Sequence, residues 1–417
     1  MAYETDEAPL ADRRLPSGDD FLSPEELAAL TPEVIVERMK ALAPRIAAAA
    51  AEAERLRRPV DEIWAAIRAS GYFYMYVPKV FGGLEVTTDQ FIDASLPIAE
   101  ACASTGWVAS FCAEHNWILS HFPRATQEAL FGGAFPYIIA PVVSAPPGTA
   151  VPVEGGYRVT ARWKWGTGVM HADWIGGSAL VVKPEAPPQV LTVLVPAAEA
   201  EVLDTWHVAG MVGTGSNDIV VRDVFVPEAR TVPMDLLSKG QGPGSRDYDN
   251  PIYSMPMLPF LSVTAAISAV GAARSALAAF RARLEQHVRM GAQARQAERP
   301  AAHIRLGKAA VMIDVAEQTI RQAGRDNVAA GALRGGEQVA ARIAIRSQAA
   351  FAVQLCREAV ALLGEAAGSG AQMLDQPFQR AVRDINVIST HVVFDIDAVL
   401  ELHGRSLVGL PPNSMLI

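Results

Sequence analysis

The chain has 417 residues, with 45 acidic side chains against 36 basic ones and a formal net charge of −9. This length favours two or three domains, and the acidic balance argues against a nucleic-acid partner, which would favour a basic face. No apolar run has the form of a signal peptide or approaches the roughly 20 residues of a membrane span. Three cysteines without CxxC spacing favour buried thiols over a disulfide or a metal site. We therefore expect a soluble, cytoplasmic protein.

Up to about residue 137, the sequence has the pattern of a helical domain. Its amphipathic stretches predict helices at 32–56, 60–70, 89–101 and 104–120. Thr87 and Ser104 are placed to cap two of these helices, because a hydroxyl oxygen accepts from the free amides of a first turn. Residues 1–137 are therefore predicted to form an N-terminal helical domain.

Residues 138–237 have a different texture, in which Pro and Gly separate short runs of strand-forming residues. These runs predict strands at 157–161, 174–182 and 219–226. Short strands with regular turn signals indicate a compact β domain. The segment 238–256 that follows is rich in Gly, Pro, Asp and Ser, and a connection of this length is suited to a lid.

From residue 238 to 417 the pattern is helical again, after that leading loop. Helices are predicted at 258–292, 301–331, 336–366 and 377–402. This set is sufficient for a four-helix bundle. The pattern alone thus predicts a mostly α fold with a central β domain, divided at 137/138 and 237/238.

Four parts of the chain carry, in this order, motifs similar to those of flavin-dependent monooxygenases built on the acyl-CoA dehydrogenase fold. They are 104–108 (STGWV) with 115–117 (HNW), 163–168 (WKWGTG) with 171–174 (HADW), 213–218 (GTGSND) with 224–227 (VFVP), and 409–412 (GLPP). The likeness extends to the hydroxylase of a phenolic secosteroid and, more distantly, to the oxygenase component of 4-hydroxyphenylacetate hydroxylase. It implies an N-terminal helical domain, a middle β-barrel or sandwich and a C-terminal four-helix bundle.

The segment 383–392 (RDINVISTHV) resembles the active-site segment of acyl-CoA dehydrogenases. Many of those enzymes carry a glutamate eight residues after the Arg-Asp pair, as the base that removes a proton from carbon. Here that position is Val392, and an isopropyl group accepts no proton. The resemblance therefore favours the oxygenase branch of the fold.

For that branch, the resemblance implies that reduced FMN or FAD reacts with O2 to a flavin C(4a)-hydroperoxide, which hydroxylates an aromatic and, we expect, phenolic substrate. A separate NAD(P)H-dependent flavin reductase would supply the reduced flavin, and the chain would form a homotetramer. No metal is expected, because the histidines show neither HExxH spacing nor a paired-cysteine site.

His115 is the candidate residue for the substrate side of the site. In phenol hydroxylases of this family, a histidine in the matching motif contacts the substrate hydroxyl, and a neutral imidazole is a natural proton acceptor. The same motif makes Trp117 a candidate substrate contact. The alternative for His115 is a structural histidine whose ring bonds to a backbone carbonyl.

Thr167 is the candidate residue for the flavin side. Relatives carry a serine there whose hydroxyl bonds to the flavin ring, and threonine keeps the hydroxyl but adds a stiff methyl-bearing side chain. Trp165 and Gly168 of the same segment are candidate cofactor-binding residues. The alternative is an ordinary β-turn, which the two glycines of the segment would also suit.

His391 is the third candidate catalytic residue, predicted to lie on a helix. The resemblance places a histidine here at the flavin edge where oxygen adds, and an imidazole could stabilise developing charge there. The alternative is a surface pair with Asp395, four residues on, worth a few tenths of a kcal/mol.

Thr214 and Ser216, in the turn 213–216, are candidate cofactor-binding residues. A glycine-rich turn with hydroxyls can cradle a phosphate, but this one lacks the strand–turn–helix context of a nucleotide fingerprint. Relatives often have an arginine where this chain has Val212, so the phosphate role stays open. Arg283 is a candidate phosphate partner across a subunit contact.

Three rival hypotheses remain from the sequence. The chain would be an acyl-CoA dehydrogenase with a relocated base, an oxygenase that acts on nitrogen, sulfur or an indole, or a flavin-binding protein without activity. Bleaching of bound FAD by an acyl-CoA would identify the first, the product formed would identify the second, and any turnover excludes the third.

Overall fold

The structure is a computed structural model that describes residues 22–133, 137–183, 186–286 and 300–417. Its N-terminal helices are α1 (Pro24–Ala28), α2 (Pro32–Leu56), α3 (Asp61–Ala69), α4 (Thr88–Ala101), α5 (Ala103–Leu119) and α6 (Arg124–Phe131). Thr87 caps α4 and forms a capping box with Gln90, as predicted for a hydroxyl residue in that place. Ser104 caps nothing. Cys102 is the extended residue that separates α4 from α5, so Ser104 lies inside the first turn.

The central β domain is one mixed sheet. Its strands are β1 (Val142–Val153), β2 (Gly156–Trp163), β3 (Trp174–Lys183), β4 (Ala186–Pro196), β5 (Glu201–Leu203), β6 (Asp218–Pro227) and β7 (Thr231–Pro233). They are ordered β5-β6-β2-β1-β3-β4-β7. Only β1 and β3 pair in parallel among the described strands, and the sheet encloses its own hydrophobic core.

The connection 238–256, which the sequence allows as a lid, is packed against the helices in this structure. After the short helix α7 (Met234–Ser238), two 3-10 turns cover 243–247 and 251–254. The Trp117 indole donates to the carbonyl of Ile252 (2.7 Å), and Tyr253 is fully buried. Such buried anchors bind the connection to α5.

The C-terminal bundle contains α8 (Met257–Gln286), α9 (Pro300–Ala330), α10 (Gly335–Ala367), α11 (Pro377–Ser389) and α12 (Ile396–Leu407). The helix predicted at 377–402 is thus divided, because the chain turns between Thr390 and Asp395. This bundle and the N-terminal helices share one hydrophobic core, so the two domain boundaries stay predictions.

Helix α8 has the length and composition of a membrane span, which the sequence expectation missed. Most of its apolar window is buried within the structure, where α8 packs against α4, α5, α9, α10 and α11. It is the central core helix of this fold. The three cysteines are buried, as predicted, and their thiols are free.

Candidate active site

Helix α5 carries a row of three rings on one face. Trp107, Phe111 and His115 follow one another at intervals of four residues, the spacing that aligns side chains along a helix. Trp107 stacks on Phe111 with ring centroids 4.6 Å apart, and Phe111 meets His115 edge-on at 5.7 Å. Every residue of α5 is buried except Phe111. The open side of this helix is therefore the face that bears the rings.

The Thr167 hydroxyl lies at the Trp107 end of this row. The Trp107 indole N–H donates to Thr167 Oγ1 (3.3 Å), and Thr167 Oγ1 is bonded to Ser216 Oγ (2.9 Å). Ser216 donates in turn to Thr214 Oγ1 (2.9 Å). The structure therefore gathers three predicted site residues into one chain of hydroxyls against α5.

The loop 165–168 reaches α5 through unusual backbone geometry. Trp165 has a φ of +66° and Gly168 a φ of +89°, a region that favours glycine and strains other residues. A Cβ at Gly168 would lie 2.5 Å from Cys112 Sγ, so only glycine allows this contact with α5. Trp165 remains 64 % exposed, which leaves a large aromatic face open beside Thr167.

His391 lies at the same end of the row, against Trp107 (ring centroids 5.5 Å apart). It is not on a helix as predicted, because α11 ends at Ser389 and His391 begins the 3-10 turn 392–394 with an extended backbone. Asp395 caps α12 through Ala398 and is no partner of His391 in this structure. The break in the helix is what turns His391 toward α5.

The ring of His391 is held as a neutral donor. Its Nδ1 accepts from the amide of Val393 (3.4 Å), so the ring proton resides on Nε2 in the neutral form. Burial lowers the pKa of His391 to about 4, because charge is disfavoured away from water. At neutral pH His391 thus offers an N–H rather than a positive charge.

His115 has the opposite tautomer. Its Nδ1 lies 2.6 Å from the carbonyl oxygen of Ala140, which only accepts, so Nδ1 carries the proton and Nε2 has a free lone pair. Burial lowers the pKa of His115 to about 4, against the smaller opposing effect of the Ala140 bond. At neutral pH the ring is therefore a proton acceptor at Nε2.

The segment that holds His115 is fixed on both sides. Asn116 accepts from the amide of Ile138 (2.9 Å), and Asp173 accepts from the amide of Ile139 (2.9 Å). These two bonds hold the residues just before Ala140, whose carbonyl sets the His115 tautomer. Asp173 belongs to the motif at 171–174, and this contact gives that motif a structural role.

Two predicted residues lie away from this group. Trp117 is fully buried in the core, where it packs on His121 and Phe260, and its contact with a substrate stays a prediction. Two residues beyond His115, a helical side chain points to another face. Arg283 donates to the carbonyl of Ala367 (2.7 Å), at the C-terminal end of α10.

The turn 213–216 is buried against helices and does not present a phosphate cradle. A Cβ at Gly213 would lie 3.2 Å from Ser104 and one at Gly215 would lie 2.5 Å from the carbonyl oxygen of Arg57. Close packing on α2 and α5 therefore accounts for these glycines. The hydroxyls of Thr214 and Ser216 are committed to the chain that ends at Thr167.

Sequence reasoning missed what anchors that chain. Thr214 donates to the carbonyl of Met211 (2.9 Å), and the amide of Met211 donates to Asp384 (2.6 Å). Arg383 donates to the carbonyl of Ala209 (3.0 Å). The Arg-Asp pair, read from the sequence only as a landmark, thus fixes the backbone beneath the hydroxyls.

The arrangement suits a flat, mostly apolar ring with a few polar atoms, as cofactor sites usually do. Trp165, with its open aromatic face, lies in the loop of Thr167. Val392, whose side chain is 55 % exposed, lies in the turn of His391. A flavin ring bound beside Thr167 and His391 would meet a hydroxyl and an N–H. Among the described residues, no group of three or more His, Cys, Asp or Glu side chains could hold a metal ion.

Comparisons with known proteins agree with this geometry. The family profile of the acyl-CoA dehydrogenase C-terminal domain matches residues 263–396. The chain is 36 % identical to the pigment production hydroxylase of Rhodococcus sp. (strain ATCC 21145), over 93 % of this chain and 100 % of that protein. It is 33 % identical to the oxygenase component of the FADH(2)-dependent resorcinol hydroxylase of Rhizobium sp. (strain MTP-10005), over 91 % of this chain and 95 % of that one.

A solved structure has the same fold. The HsaA monooxygenase from M. tuberculosis superposes with a TM-score of 0.86 at 31 % identity, covering 93 % of this chain and 100 % of that chain. The likeness spans the helical domain, the sheet and the bundle. It therefore includes α5, the loop 165–168 and the turn of His391, which meet at Trp107.

Proposed function

This chain belongs to the oxygenase components of the flavin-dependent monooxygenases with the acyl-CoA dehydrogenase fold, and on that basis we propose that it hydroxylates a phenol. It is an enzyme that uses reduced flavin, and a separate reductase supplies that flavin, as the two-component arrangement requires. The rival hypothesis of an acyl-CoA dehydrogenase is not supported, because the matching relatives are oxygenases. When bound, reduced flavin supplies two electrons to O2, so that one oxygen atom enters the substrate and the other leaves as water.

The observation that carries the phenol proposal is the tautomer of His115. Its Nδ1 proton is committed to Ala140, and its free Nε2 accepts the proton of a substrate hydroxyl. Loss of that proton makes the aromatic ring of the substrate a better nucleophile toward an electrophilic oxygen. Removal of the proton by His115 is general base catalysis. Phe111, the partly exposed member of the row, lies between His115 and the flavin-side residues and forms a wall for an aromatic substrate.

The residues at the other end of the row serve the flavin side. His391 offers a neutral Nε2–H, which stabilises negative charge as it develops on oxygen. Thr167 holds the ring through its hydroxyl, and Trp165 and Gly168 shape the loop around it. The two histidines thus act in complementary ways, one as an acceptor and one as a donor.

A panel of matched substrates tests the proposal. With FAD or FMN, a flavin reductase, NADH and O2, we expect phenols to yield hydroxylated products. Their O-methyl ethers, which lack the proton that His115 would accept, should yield hydrogen peroxide instead. Equal oxidation of phenols and ethers would overturn the phenol assignment, and oxidation of indole or thioethers alone would favour the nitrogen or sulfur alternative.

Two replacements of Thr167 distinguish the contribution of its hydroxyl from that of its methyl group. We expect Thr167→Ala to lower the ratio of product to consumed NADH about tenfold, which corresponds to one hydrogen bond of about 1.4 kcal/mol. Thr167→Ser keeps the hydroxyl and should stay within about twofold of the wild type. Product and peroxide are measured together. An equal loss in both variants would show that the methyl group, not the hydroxyl, matters.

Position 392 tests whether dehydrogenase chemistry can be restored. Val392 is half-exposed, and its carbonyl accepts from Arg346 (3.2 Å). In Val392→Glu we expect slower hydroxylation because an apolar contact with the flavin is lost. Anaerobic addition of an acyl-CoA should not reduce bound FAD. Reduction would show that an acyl-CoA site survives, contrary to a pocket shaped for a phenol.

We also propose a homotetramer, in which Arg283 serves the flavin of another subunit. Exposed apolar side chains support an oligomer, among them Ile304, Val311 and Val315 on one side of α9. Arg283 lies beside a cavity of about 380 Å³ that Gln376 and Phe378 also line. Sedimentation equilibrium would test the assembly.

A further inference from the structure

The hydroxyl chain behind the flavin side has one direction only. The Met211 carbonyl cannot donate, so Thr214 gives its only hydroxyl proton to it (2.9 Å). Ser216 must then donate to Thr214 (2.9 Å), because the Thr214 proton is already used. A hydroxyl has one proton and two lone pairs, so each bond in the chain determines the next.

The same count of protons and lone pairs determines whether the Thr167 hydroxyl donates or accepts. The Ser216 proton points to Thr214, so the bond between Thr167 and Ser216 (2.9 Å) requires Thr167 to donate. The indole N–H of Trp107 donates to Thr167 Oγ1 and uses one of its lone pairs (3.3 Å). Thr167 therefore has no proton left for a ligand and offers a single lone pair.

The far end of the chain cannot reverse easily. The Met211 carbonyl also accepts from the indole of Trp206 (3.1 Å) and from the amide of Thr214 (3.1 Å), and the Met211 amide is held by Asp384 (2.6 Å). Thr214 and Ser216 are buried, so water does not supply substitute partners. Reversal would give up the bond from the Thr214 hydroxyl to the Met211 carbonyl, which is worth about 0.5–1.5 kcal/mol.

We propose that Thr214 and Ser216 are positioning residues that make Thr167 a pure hydrogen-bond acceptor, so that the site favours reduced flavin over oxidised flavin. This inference rests on the proposed flavin contact of Thr167. The N5 atom of reduced flavin carries a proton, which the free lone pair of Thr167 accepts. The N5 atom of oxidised flavin carries a lone pair, which finds no donor in Thr167. The bias suits an oxygenase that takes up reduced flavin and must release the oxidised form.

The test compares the affinities of the two redox forms. In the full-length protein, Ser216→Ala removes the acceptor of the Thr167 proton and frees that proton for N5. Kd is measured for oxidised FAD by titration in air and for reduced FAD by anaerobic titration. We expect the preference for the reduced form to fall about tenfold, roughly the value of one hydrogen bond. For a two-electron couple this lowers the midpoint potential of bound FAD by about 30 mV.

Thr214→Val provides an independent route to the same result. It removes the acceptor of the Ser216 proton, which then turns to Thr167 and frees the Thr167 proton, so the preference should fall in the same direction. Ser216→Thr keeps both hydroxyl functions and should leave the preference unchanged. In a Thr167→Val background, Ser216→Ala should have no further effect, because no hydroxyl remains to respond.

The outcomes distinguish this inference from the proposed function. If the wild type binds flavin and hydroxylates phenols, but Ser216→Ala changes the preference less than twofold, the directed chain is wrong and the function stands. A change that persists in the Thr167→Val background also overturns the inference, since it would not pass through Thr167. If the wild type binds neither form of FAD, the proposed flavin site itself fails.

Discussion

Replacement of His115 by alanine is expected to lower the rate of phenol hydroxylation by about 10²–10⁴-fold, the usual effect of removing a positioned acid or base. Flavin binding should be nearly unchanged, because His115 lies two helical turns from Trp107 and the hydroxyls. Reducing equivalents should then appear as hydrogen peroxide. The measurement is the ratio of product to peroxide at equal NADH consumption.

A histidine just beyond the C-terminal end of α5 provides a matched control. His121 is also buried, with its ring nitrogens 2.9 and 3.0 Å from the carbonyls of Trp117 and Tyr253, and burial lowers its pKa to about 4 as well. His121→Asn should cost stability but leave the ratio of product to peroxide unchanged. If both histidine variants lose coupling equally, His115 acts through packing and not through its proton.

The pH dependence gives a second check on His115. The ring accepts a proton only when it is neutral, so hydroxylation should persist as pH falls below the ordinary histidine range and be lost as pH falls through about 4. An acid limb near pH 6.5 would indicate a different, solvent-exposed base.

Much of the fold follows from local sequence patterns. The helix predicted at 32–56 and the strand predicted at 219–226 lie within one residue of the observed elements, because an amphipathic period and a β-branched run are local signals. The helix predicted at 377–402 was wrong between 390 and 395. Nothing in that stretch breaks a helix by composition, and the turn is stabilised by contacts with α5 and α10 that lie far away in sequence.

The candidate site divides in the same way. His115, Thr167 and His391 were found through resemblance, and the structure brings all three to one row of rings. Trp107 and Phe111, which join them, had a readable signal in their spacing of four residues from His115. The sequence carries no signal for the direction in which the hydroxyls of the chain donate their protons. It depends on which atoms of 167, 211, 214 and 216 meet across two loops, and no local pattern contains that information.

Helix α5 explains why such distant segments share one site. It passes through the core between the β domain, α8 and α11, so a residue on each of its faces has a different environment. One face presents aromatic rings to the site. Another face places the carboxyl group of Glu114, the residue next to His115, in the core, where burial changes its pKa.

Glu114 is the buried carboxyl next to His115, and its replacement by glutamine is expected to stabilise the protein increasingly as pH rises. Its side chain is fully buried, and neither oxygen has a hydrogen-bond partner among the described residues. The neighbouring hydroxyl of Thr264 donates to the carbonyl of Phe260 instead. The groups that face Glu114 are Thr264 of α8 and the phenols of Tyr72 and Tyr76, none of them charged at neutral pH.

Burial without a partner raises the pKa of Glu114 well above its ordinary value of 4.5. The folded state therefore keeps a proton that the unfolded state releases, and the free energy of unfolding decreases as pH rises above about 4.5. The slope is about 1.4 kcal/mol per pH unit until the folded pKa is reached. Glu114→Gln has nearly the same shape and no such proton, so its advantage over the wild type should grow from pH 6 to pH 8 for as long as the folded carboxyl keeps its proton.

Thermal unfolding of both proteins at the two pH values measures this difference. Glu317 is the matched control, since it is also buried but is paired with Arg274 and Arg321. Glu317→Gln should lower the unfolding temperature at both pH values, because it removes the buried carboxylate that Arg274 and Arg321 share. A gain in Glu114→Gln that does not grow with pH would mean that Glu114 is ionised in the folded protein. It would then require a cation or ordered water beside α5.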